Sequence, residues 1–431
     1  MYITPEKQNR RKFMGRMAAS ATGILILKPE TVRAYQANSA VRLGLLGCGV
    51  RGTAVATSFA RNTSARVVAL ADIFPDQLAK AASTFGALAA SLGYSGPESK
   101  LQFRGAHAYQ ELAASDQLDA IQISTPPFFH VEHLEAAVAG GKHVYCEKPV
   151  GIDLPQTRRA LAVSKRAEGE VSVDVGFQIR SAPPFVELVR RIHEGALGKL
   201  VSIDAHYYAP AIQYPERPAG MPHDELRLRN WNWDLTLSGD IIVEQDIHVV
   251  DICNWILQSH PTTAYATGAR SVITHFGNNF DNYQVNYTYP NSVHVSLAAK
   301  QYGTNTSFDV SERVFGANGY SESPYSGPLR IIGDNAWEWK QETPLAPGGG
   351  QFAANGVFSD NLAQADSEKD KGFIESIVTG KFHNQIAMGV ESARSAIMAR
   401  MSARSGQLIT WDQLMASHEQ FDLGFDLNQF S

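Results

Sequence analysis

Two short stretches hold the residue types from which a reaction could be built. The first is Glu147-Lys148-Pro149, a glutamate and a lysine immediately before a proline at the end of an apolar run. Charged residues there serve poorly as core packing, so Lys148 is a candidate to hold an oxygen that gains negative character during a reaction. The second is residues 238–257, SGDIIVEQDIHVVDICNWIL, in which Glu244, His248 and Asp251 recur at intervals of four and three. Read as one helix over residues 241–257, started by Ser238-Gly239-Asp240, this spacing puts all three on one face. Asp246 then points elsewhere, and Ile242, Val249, Ile252 and Trp255 supply the packing. A histidine beside two carboxylates has its tautomer fixed and its basicity raised, which suits a general base; a buried ion network is the other reading of the same pattern. His248 is therefore the candidate base, Lys148 the candidate positive charge, and Glu244 the group that orients His248 or a substrate.

A base and a positive charge oxidise nothing without a hydride acceptor, and the elements before Lys148 provide a place for one. Residues 41–52, VRLGLLGCGVRG, join a β-favouring run to Gly47-x-Gly49-x-x-Gly52. Residues 53–60 read as the opening of a helix, and a strand over residues 66–71 ends in Asp72, about twenty residues after the last glycine. Gly47 permits the tight turn, Gly49 lets the backbone approach a pyrophosphate at the helix N-terminus, and Gly52 lets helix and strand pack closely. Asp72 can accept both hydroxyls of an adenosine ribose and would repel a 2'-phosphate, so NAD is expected over NADP. Further on, a strand over residues 119–124 ends at Thr125-Pro126-Pro127, where the prolines force a turn at the carboxyl end of a parallel strand. A helix over residues 130–139 and a strand over residues 143–146 then lead to Glu147-Lys148.

Residues 154–169 have the pattern of a crossover helix, and residues 171–175 read as a strand. The helix expected over residues 184–194 has Phe185, Val186, Val189 and Ile192 as its apolar stripe. From Lys199 the period becomes two, with Leu200, Ile203, Ala205 and Tyr207 alternating with polar residues. Residues 209–237 read as a long loop holding Tyr214, Arg217, His223, Arg227, Arg229, Trp231 and Trp233. Aromatic rings among guanidinium groups suit sugar faces, hydroxyls and carboxylates, and suit a structural lid or a subunit contact equally. Residues 264–343 alternate in the manner of an antiparallel sheet, residues 344–352 form a glycine-rich link, and residues 367–379 and 389–401 read as helices.

The glycine fingerprint with Asp72, Thr125-Pro126-Pro127 with His130, Gly141-Lys142-His143-Val144-Tyr145-Cys146-Glu147-Lys148-Pro149 and Gly176-Phe177-Gln178 together resemble one family. It is that of glucose–fructose oxidoreductase, inositol dehydrogenase and the rhizopine-catabolism oxidoreductases, and the resemblance runs from about residue 40 to about residue 415. It implies an α/β fold: a Rossmann dinucleotide-binding domain over residues 40–165, then an α/β domain over residues 166–415 with an open, largely antiparallel sheet and returning C-terminal helices. A homodimer or homotetramer is implied as well. The dinucleotide set becomes Gly47, Gly49, Val50, Arg51, Gly52, Asp72, Ser124, Thr125, Pro126, His130, Glu147, Lys148 and Gln178. The substrate set becomes Arg180, Tyr207, Arg229, Trp231, Glu244 and His248. Lys148 and His248 take the roles already argued, while Glu244 departs from the aspartate usual four residues before the histidine. Three functions follow from the resemblance: an NAD-dependent oxidoreductase acting on a carbohydrate; a glycoside hydrolase that borrows the hydride to permit elimination and hydration; and a nucleotide-binding partner without chemistry. Retention of Lys148 and His248 weighs against the last.

Residues 1–34 differ from the remainder. Asn9-Arg10-Arg11-Lys12-Phe13-Met14, a weakly apolar run over residues 17–27 and Val32-Arg33-Ala34 resemble a twin-arginine export signal, implying the twin-arginine machinery as a partner and a bacterial periplasmic or otherwise exported protein. Free NAD is not maintained outside the cytoplasm, so such an enzyme is expected to keep its NAD bound. The formal charge of -5 becomes -10 without that segment, which holds seven basic and two acidic residues; nucleic acid is therefore not an expected partner. No apolar stretch has the length of a membrane span. Cys48, Cys146 and Cys253 are too far apart to form a metal-ligand pair; they read as buried free thiols, and no metal is expected.

Overall fold

The computed structural model describes residues 40–211, 218–303, 308–340, 351–352 and 358–430. The export-type segment, Tyr214, Arg217 and most of the glycine-rich link lie outside those residues.

The run that precedes the glycines, Arg42–Leu46 (β1), is central in a six-stranded parallel sheet. Its other members are Arg66–Asp72 (β2), Gln102–Arg104 (β3), Ala120–Ile123 (β4), His143–Cys146 (β5) and Val173–Val175 (β6), in the order β3-β2-β1-β4-β5-β6. Leu43, Leu45 and Leu46 are all buried, because helices cover both faces, and so the strand reads as a continuous apolar run. Strand order reverses between β1 and β4, which opens a crevice at their carboxyl ends. The first sheet extends past the boundary expected at residue 165. The crossover helix Leu154–Ala167 returns the chain to the same sheet, and β6 pairs with β5 as its sixth strand. This half of the molecule is completed from far along the chain. Phe373 and Ile374, on the helix Ala365–Thr379, share a core with Leu43, Phe59 and Tyr145, and the Phe59 ring centroid lies 5.3 Å from that of Tyr145 and 5.8 Å from that of Phe373.

The second sheet has nine strands. Leu200–Ala209 (β7), Thr263–Ala269 (β8), Asn282–Tyr289 (β9), Val293–Gln301 (β10), Asp309–Gly316 (β11), Gly319–Glu322 (β12), Arg330–Gly333 (β13) and Trp337–Glu338 (β14) are joined at the far edge by Ile409–Thr410 (β17). Gln351–Phe352 (β15) and Phe358–Ser359 (β16) form a separate ribbon. Every pairing in the large sheet is antiparallel except β10 with β7. Tyr283, Val285, Tyr287 and Tyr289 of β9 are buried while Gln284 and Asn286 face outward, because the helices Ile247–Leu257 and Ile386–Ser405 cover one face only. The cysteines are free and buried.

Two expectations about local structure need correction. The stretch read as one helix over residues 241–257 is two, Ile241–Glu244 and Ile247–Leu257. Between them the Asp246 N–H donates to the Ile241 carbonyl five residues back, a π-type widening that rotates the second helix out of the simple four-residue register. The span read as a loop, residues 209–237, holds helical turns at His223–Arg229, Trp231–Trp233 and Leu235–Ser238. Asp234 starts the last of these by accepting from the Thr236 and Leu237 N–H groups.

Candidate active site

The carboxyl ends of β1, β2, β4 and β5 face residues 228–232 and 244–248 across a cleft of about 840 Å³, a volume suited to a small-molecule ligand. At one end lies the glycine turn. Gly47 has a φ of +93°, and a Cβ there would sit 2.5 Å from the Ser124 carbonyl oxygen; a Cβ on Gly52 would collide with the Gly47 carbonyl. A Cβ on Gly49 meets nothing within 4 Å. Gly49 also starts the helix Val50–Asn62, whose first turn has no side-chain cap and no acid, so free N–H groups and the positive end of the helix point into the cleft. The residues present thus fit a pyrophosphate. Gly52→Ala is expected to lower the unfolding midpoint, whereas Gly49→Ala is expected to leave it unchanged and weaken dinucleotide binding by about tenfold or more, since only there does the methyl occupy ligand space. Thermal unfolding and NADH titration of both variants check this.

Asp72 Oδ2 accepts from the Cys48 N–H at 2.7 Å and Oδ1 from the Phe74 N–H at 2.8 Å. Burial pushes this carboxyl above the ordinary range while the two N–H donors oppose that shift. Each oxygen keeps acceptor capacity for a ribose hydroxyl.

Several residues expected to touch a dinucleotide line the cleft but spend their polar atoms on its framework. The Arg51 guanidinium donates to Glu147 at 2.9 Å and to both oxygens of Asp366 at 3.0 Å. Both His130 nitrogens meet backbone carbonyls, Pro149 at 2.9 Å and Thr125 at 2.7 Å, which ties the Thr-Pro-Pro turn to the Glu-Lys-Pro strand end. Thr125 Oγ1 bonds His133 Nδ1 at 3.0 Å, and Ser124 Oγ accepts from Gln122 at 3.0 Å. Pro126 lines the wall.

At the other end Lys148, Gln178, Tyr207, Glu244, Gln245, His248 and Tyr325 come together. The Lys148 ammonium donates to Glu244 Oε1 at 2.7 Å and to the Glu244 carbonyl, and both side chains are only 12% exposed. His248 is buried, its ring edge-on to Phe177 at 6.1 Å, and its Nδ1 has no partner among the described residues. Burial, then the charges of Lys148 and Arg51, push its imidazole well below the ordinary histidine value. The expectation that flanking carboxylates raise its basicity is therefore overturned: the helix break moves Glu244 to Lys148, and Asp251 is taken by Arg180.

That last pair also removes Arg180 from the substrate set. Its guanidinium binds the buried Asp251 carboxylate at 2.7 and 3.0 Å and lies over the Trp255 ring, outside the cleft. Arg180→Ala is expected to cost ~3–5 kcal/mol of stability, because Asp251 is left buried without its countercharge and with the Ser392 hydroxyl as its remaining side-chain donor, and to leave NADH affinity unchanged; urea unfolding and an NADH titration check it. Arg229, expected among the substrate residues, lines the cleft at the Asp72 end, away from Lys148 and His248, and is paired with Asp76 at 2.9 Å and Glu225 at 2.8 Å. Arg227 is held by Asp234 at 2.7 Å. Trp231 packs with Phe129 and Leu228 in the wall.

The sequence pattern described as "Oxidoreductase family, NAD-binding Rossmann fold" matches residues 41–175, and that of the "GFO/IDH/MocA C-terminal domain" matches residues 185–322. The chain belongs to the Gfo/Idh/MocA oxidoreductase family. Inositol 2-dehydrogenase of Rhizobium meliloti (strain 1021) is 28% identical over 232 residues, 53% of this chain and 58% of that one. A glycosyl hydrolase family 109 protein of Stenotrophomonas maltophilia (strain K279a) is 30% identical over 230 residues, 52% of this chain and 48% of its own length. The chain thus spans about half the length of these curated relatives. In fold, the crystal structure of aldose-aldose oxidoreductase from Caulobacter crescentus, complexed with glycerol, is similar with a TM-score of 0.65 at 18% identity, over 86% of this chain and 99% of that one. As in a Gfo/Idh/MocA protein, a Rossmann domain precedes an open, largely antiparallel sheet domain.

Sequence reasoning named Gln178 for this Gfo/Idh/MocA cleft but passed over Gln245, Asn232 and Tyr325. Gln245 is carried in by the π-type turn, and Gln178 Oε1, Gln245 Oε1, Asn232 Nδ2 and the Tyr325 hydroxyl are buried at the cleft with no hydrogen-bond partner among the described residues. Their donor and acceptor types suit a polyhydroxylated ligand. Of the residues passed over, the glutamine beside Glu244 had a usable signal; Tyr325 follows β12 in a turn whose local sequence carries none. Among the described residues no group of His, Cys, Asp and Glu has the arrangement to hold a metal, and no helix is long and apolar enough to cross a membrane.

Proposed function

We propose that this protein oxidises a secondary hydroxyl of a sugar or sugar-like polyol, with NAD that stays on the protein and is regenerated there by a second carbohydrate. The single observation that carries the reading is the pairing of one end of the cleft with the other: Gly49 and Asp72 for a dinucleotide, and a Glu244-braced Lys148 beside a neutral, buried His248. A dinucleotide held by the Gly49 turn and Asp72 would supply the hydride acceptor for the hydroxyl-bearing carbon. His248, held neutral by its surroundings, takes the hydroxyl proton. None of the described residues engages Nδ1, so no described side chain fixes the tautomer. Lys148 donates to the reacting oxygen and stabilises its negative character, and Glu244 holds the ammonium in place for that task. Retention of NAD, export by the twin-arginine route and assembly as a homodimer or homotetramer belong to this reading; the Asn9-Arg10-Arg11 segment and the family resemblance support them.

A second reading, a glycoside hydrolase that returns the hydride after elimination and hydration, is favoured by the similarity to the Stenotrophomonas maltophilia protein and by a Streptomyces niveus protein of the same description, 33% identical over 132 residues. One experiment separates them: absorbance of the protein purified without added cofactor, before and after free sugars and aryl glycosides, with product analysis. A reduced-nicotinamide band that appears with a free sugar and persists until a second carbohydrate is added supports the oxidoreductase. Release of an aglycone with no lasting band supports the hydrolase, and no change with either class of compound removes both.

A further inference from the structure

The C-terminal tail was given no role by the sequence, yet its last turn lines the cleft. Leu427, in the turn Leu427–Phe430, borders the same space as Asp72, Phe74 and Arg229. That is the end of the cleft where an adenosine ribose meets Asp72. The tail is tied down behind and ahead of this point. Behind, the Phe421 N–H donates to Asp153 at 3.0 Å, and Glu419 pairs with the fully buried Arg400 at 2.9 Å. Closer to it, Arg227 donates to the Leu423 carbonyl at 3.0 Å and lies over the Phe425 ring; ahead of it, Gln429 donates to Asp224 at 3.2 Å. The Phe430 ring then meets Phe74 edge-on, with centroids 6.0 Å apart. Phe74 is itself covered by the Arg229 guanidinium, 4.0 Å from its ring centroid, and Arg229 reaches across to Asp76 at 2.9 Å.

Three segments distant in the chain therefore converge on one spot. Residues 72–76 supply the ribose acceptor and an aromatic face, residues 223–229 a stacked cation, and residues 423–430 an apolar cover. An aromatic face, a guanidinium and a leucine beside a carboxylate have the chemistry to take a purine nucleoside. We propose that residues 423–430 form the outer wall of the adenosine subsite and hold the dinucleotide on the protein, so that release requires the tail to lift from Phe74 and Asp224. The proposal rests on the dinucleotide reading above and adds to it the segment that makes binding long-lived.

The test compares the full chain with Leu427→Ala, with Leu427→Ala/Phe430→Ala and with a chain ending at residue 423. Titrations use NADH, ADP-ribose and nicotinamide mononucleotide, and stopped-flow measures NADH release. The expected result is that Kd for NADH and for ADP-ribose rises by about tenfold in the double variant, as loss of buried apolar contact with the ligand requires, with a matching rise in release rate. Nicotinamide mononucleotide, which has no adenosine, is expected to change by less than about twofold. Should the shortened chain fail to fold, the partly exposed Leu427 can still be replaced, and its unliganded unfolding midpoint serves as the control. Unchanged ADP-ribose affinity in variants of a chain that binds NADH overturns the tail's role alone, and so does an equal loss for all three ligands. A full chain that binds neither NADH nor ADP-ribose overturns the dinucleotide reading and the tail proposal together.

Discussion

Lys148→Met is expected to lower kcat/KM by about a thousandfold or more, a loss of ~4 kcal/mol of transition-state stabilisation. Methionine keeps the length of the side chain and discards its charge. That charge sits where water screens it poorly, and Glu244 aims it through Oε1 and the main-chain carbonyl. A loss confined to kcat identifies Lys148 with the reacting oxygen; a loss seen only in NADH affinity would make it a cofactor contact instead. The substitution has a second signature. After burial, the Lys148 ammonium is the next strongest influence holding His248 below its ordinary value. Removing that positive charge must raise the His248 pKa, an upward movement that imidazole NMR can track even in a protein with no turnover. No movement would separate the two side chains electrostatically and dissolve the pairing on which the mechanism stands.

His248→Asn is expected to lower kcat by ~10²–10⁴, the range for loss of a positioned general base, while NADH binding persists. The sign of the pH effect is set by the direction of the shift. A base works when unprotonated, so activity falls as pH drops through its pKa. Burial, Lys148 and Arg51 place that pKa well below the ordinary 6.5. The acid limb of kcat/KM in the unaltered protein should therefore lie well below pH 6.5 rather than at it. In His248→Asn that limb should vanish, leaving a low and flat profile. An acid limb that survives the substitution would assign the base to another group.

The dinucleotide half of the site was readable because its requirements are local. A positive φ at Gly47, a close approach at Gly52 and open space at Gly49 are properties of a few bonds, and the glycine spacing states them directly. The substrate half depends on events that spacing does not record. One displaced hydrogen bond, from Asp246 to Ile241, breaks the periodicity from which Glu244, His248 and Asp251 were placed on a common face. Arginines are worse still, since a guanidinium declares its charge but not its partner. Arg180 finds Asp251, 71 residues on, and Arg229 finds Asp76, 153 residues back, and both pairings form only once the chain has folded. The stretch rich in aromatic and basic residues left sugar contact, a lid and a subunit contact equally open, and the spacing did not reveal that Arg227 would pair with Asp234, or Arg229 with Asp76 and Glu225.

The fork by which Arg51 holds Glu147 and Asp366, together with Phe373 seated against Phe59, bears on how the protein is made. A nascent chain that has reached residue 175 already possesses all six strands of the parallel sheet. It lacks the carboxylate that anchors the residue between Gly49 and Gly52, and the ring that closes the core beneath it. Those arrive only with residues 365–379. Domains generally fold as units during translation, but the first domain here is completed by contacts from a segment roughly 200 residues further along. A chain cut between the two domains would keep the Arg51–Glu147 contact and lose Asp366 and Phe373, leaving a sheet without its finished core.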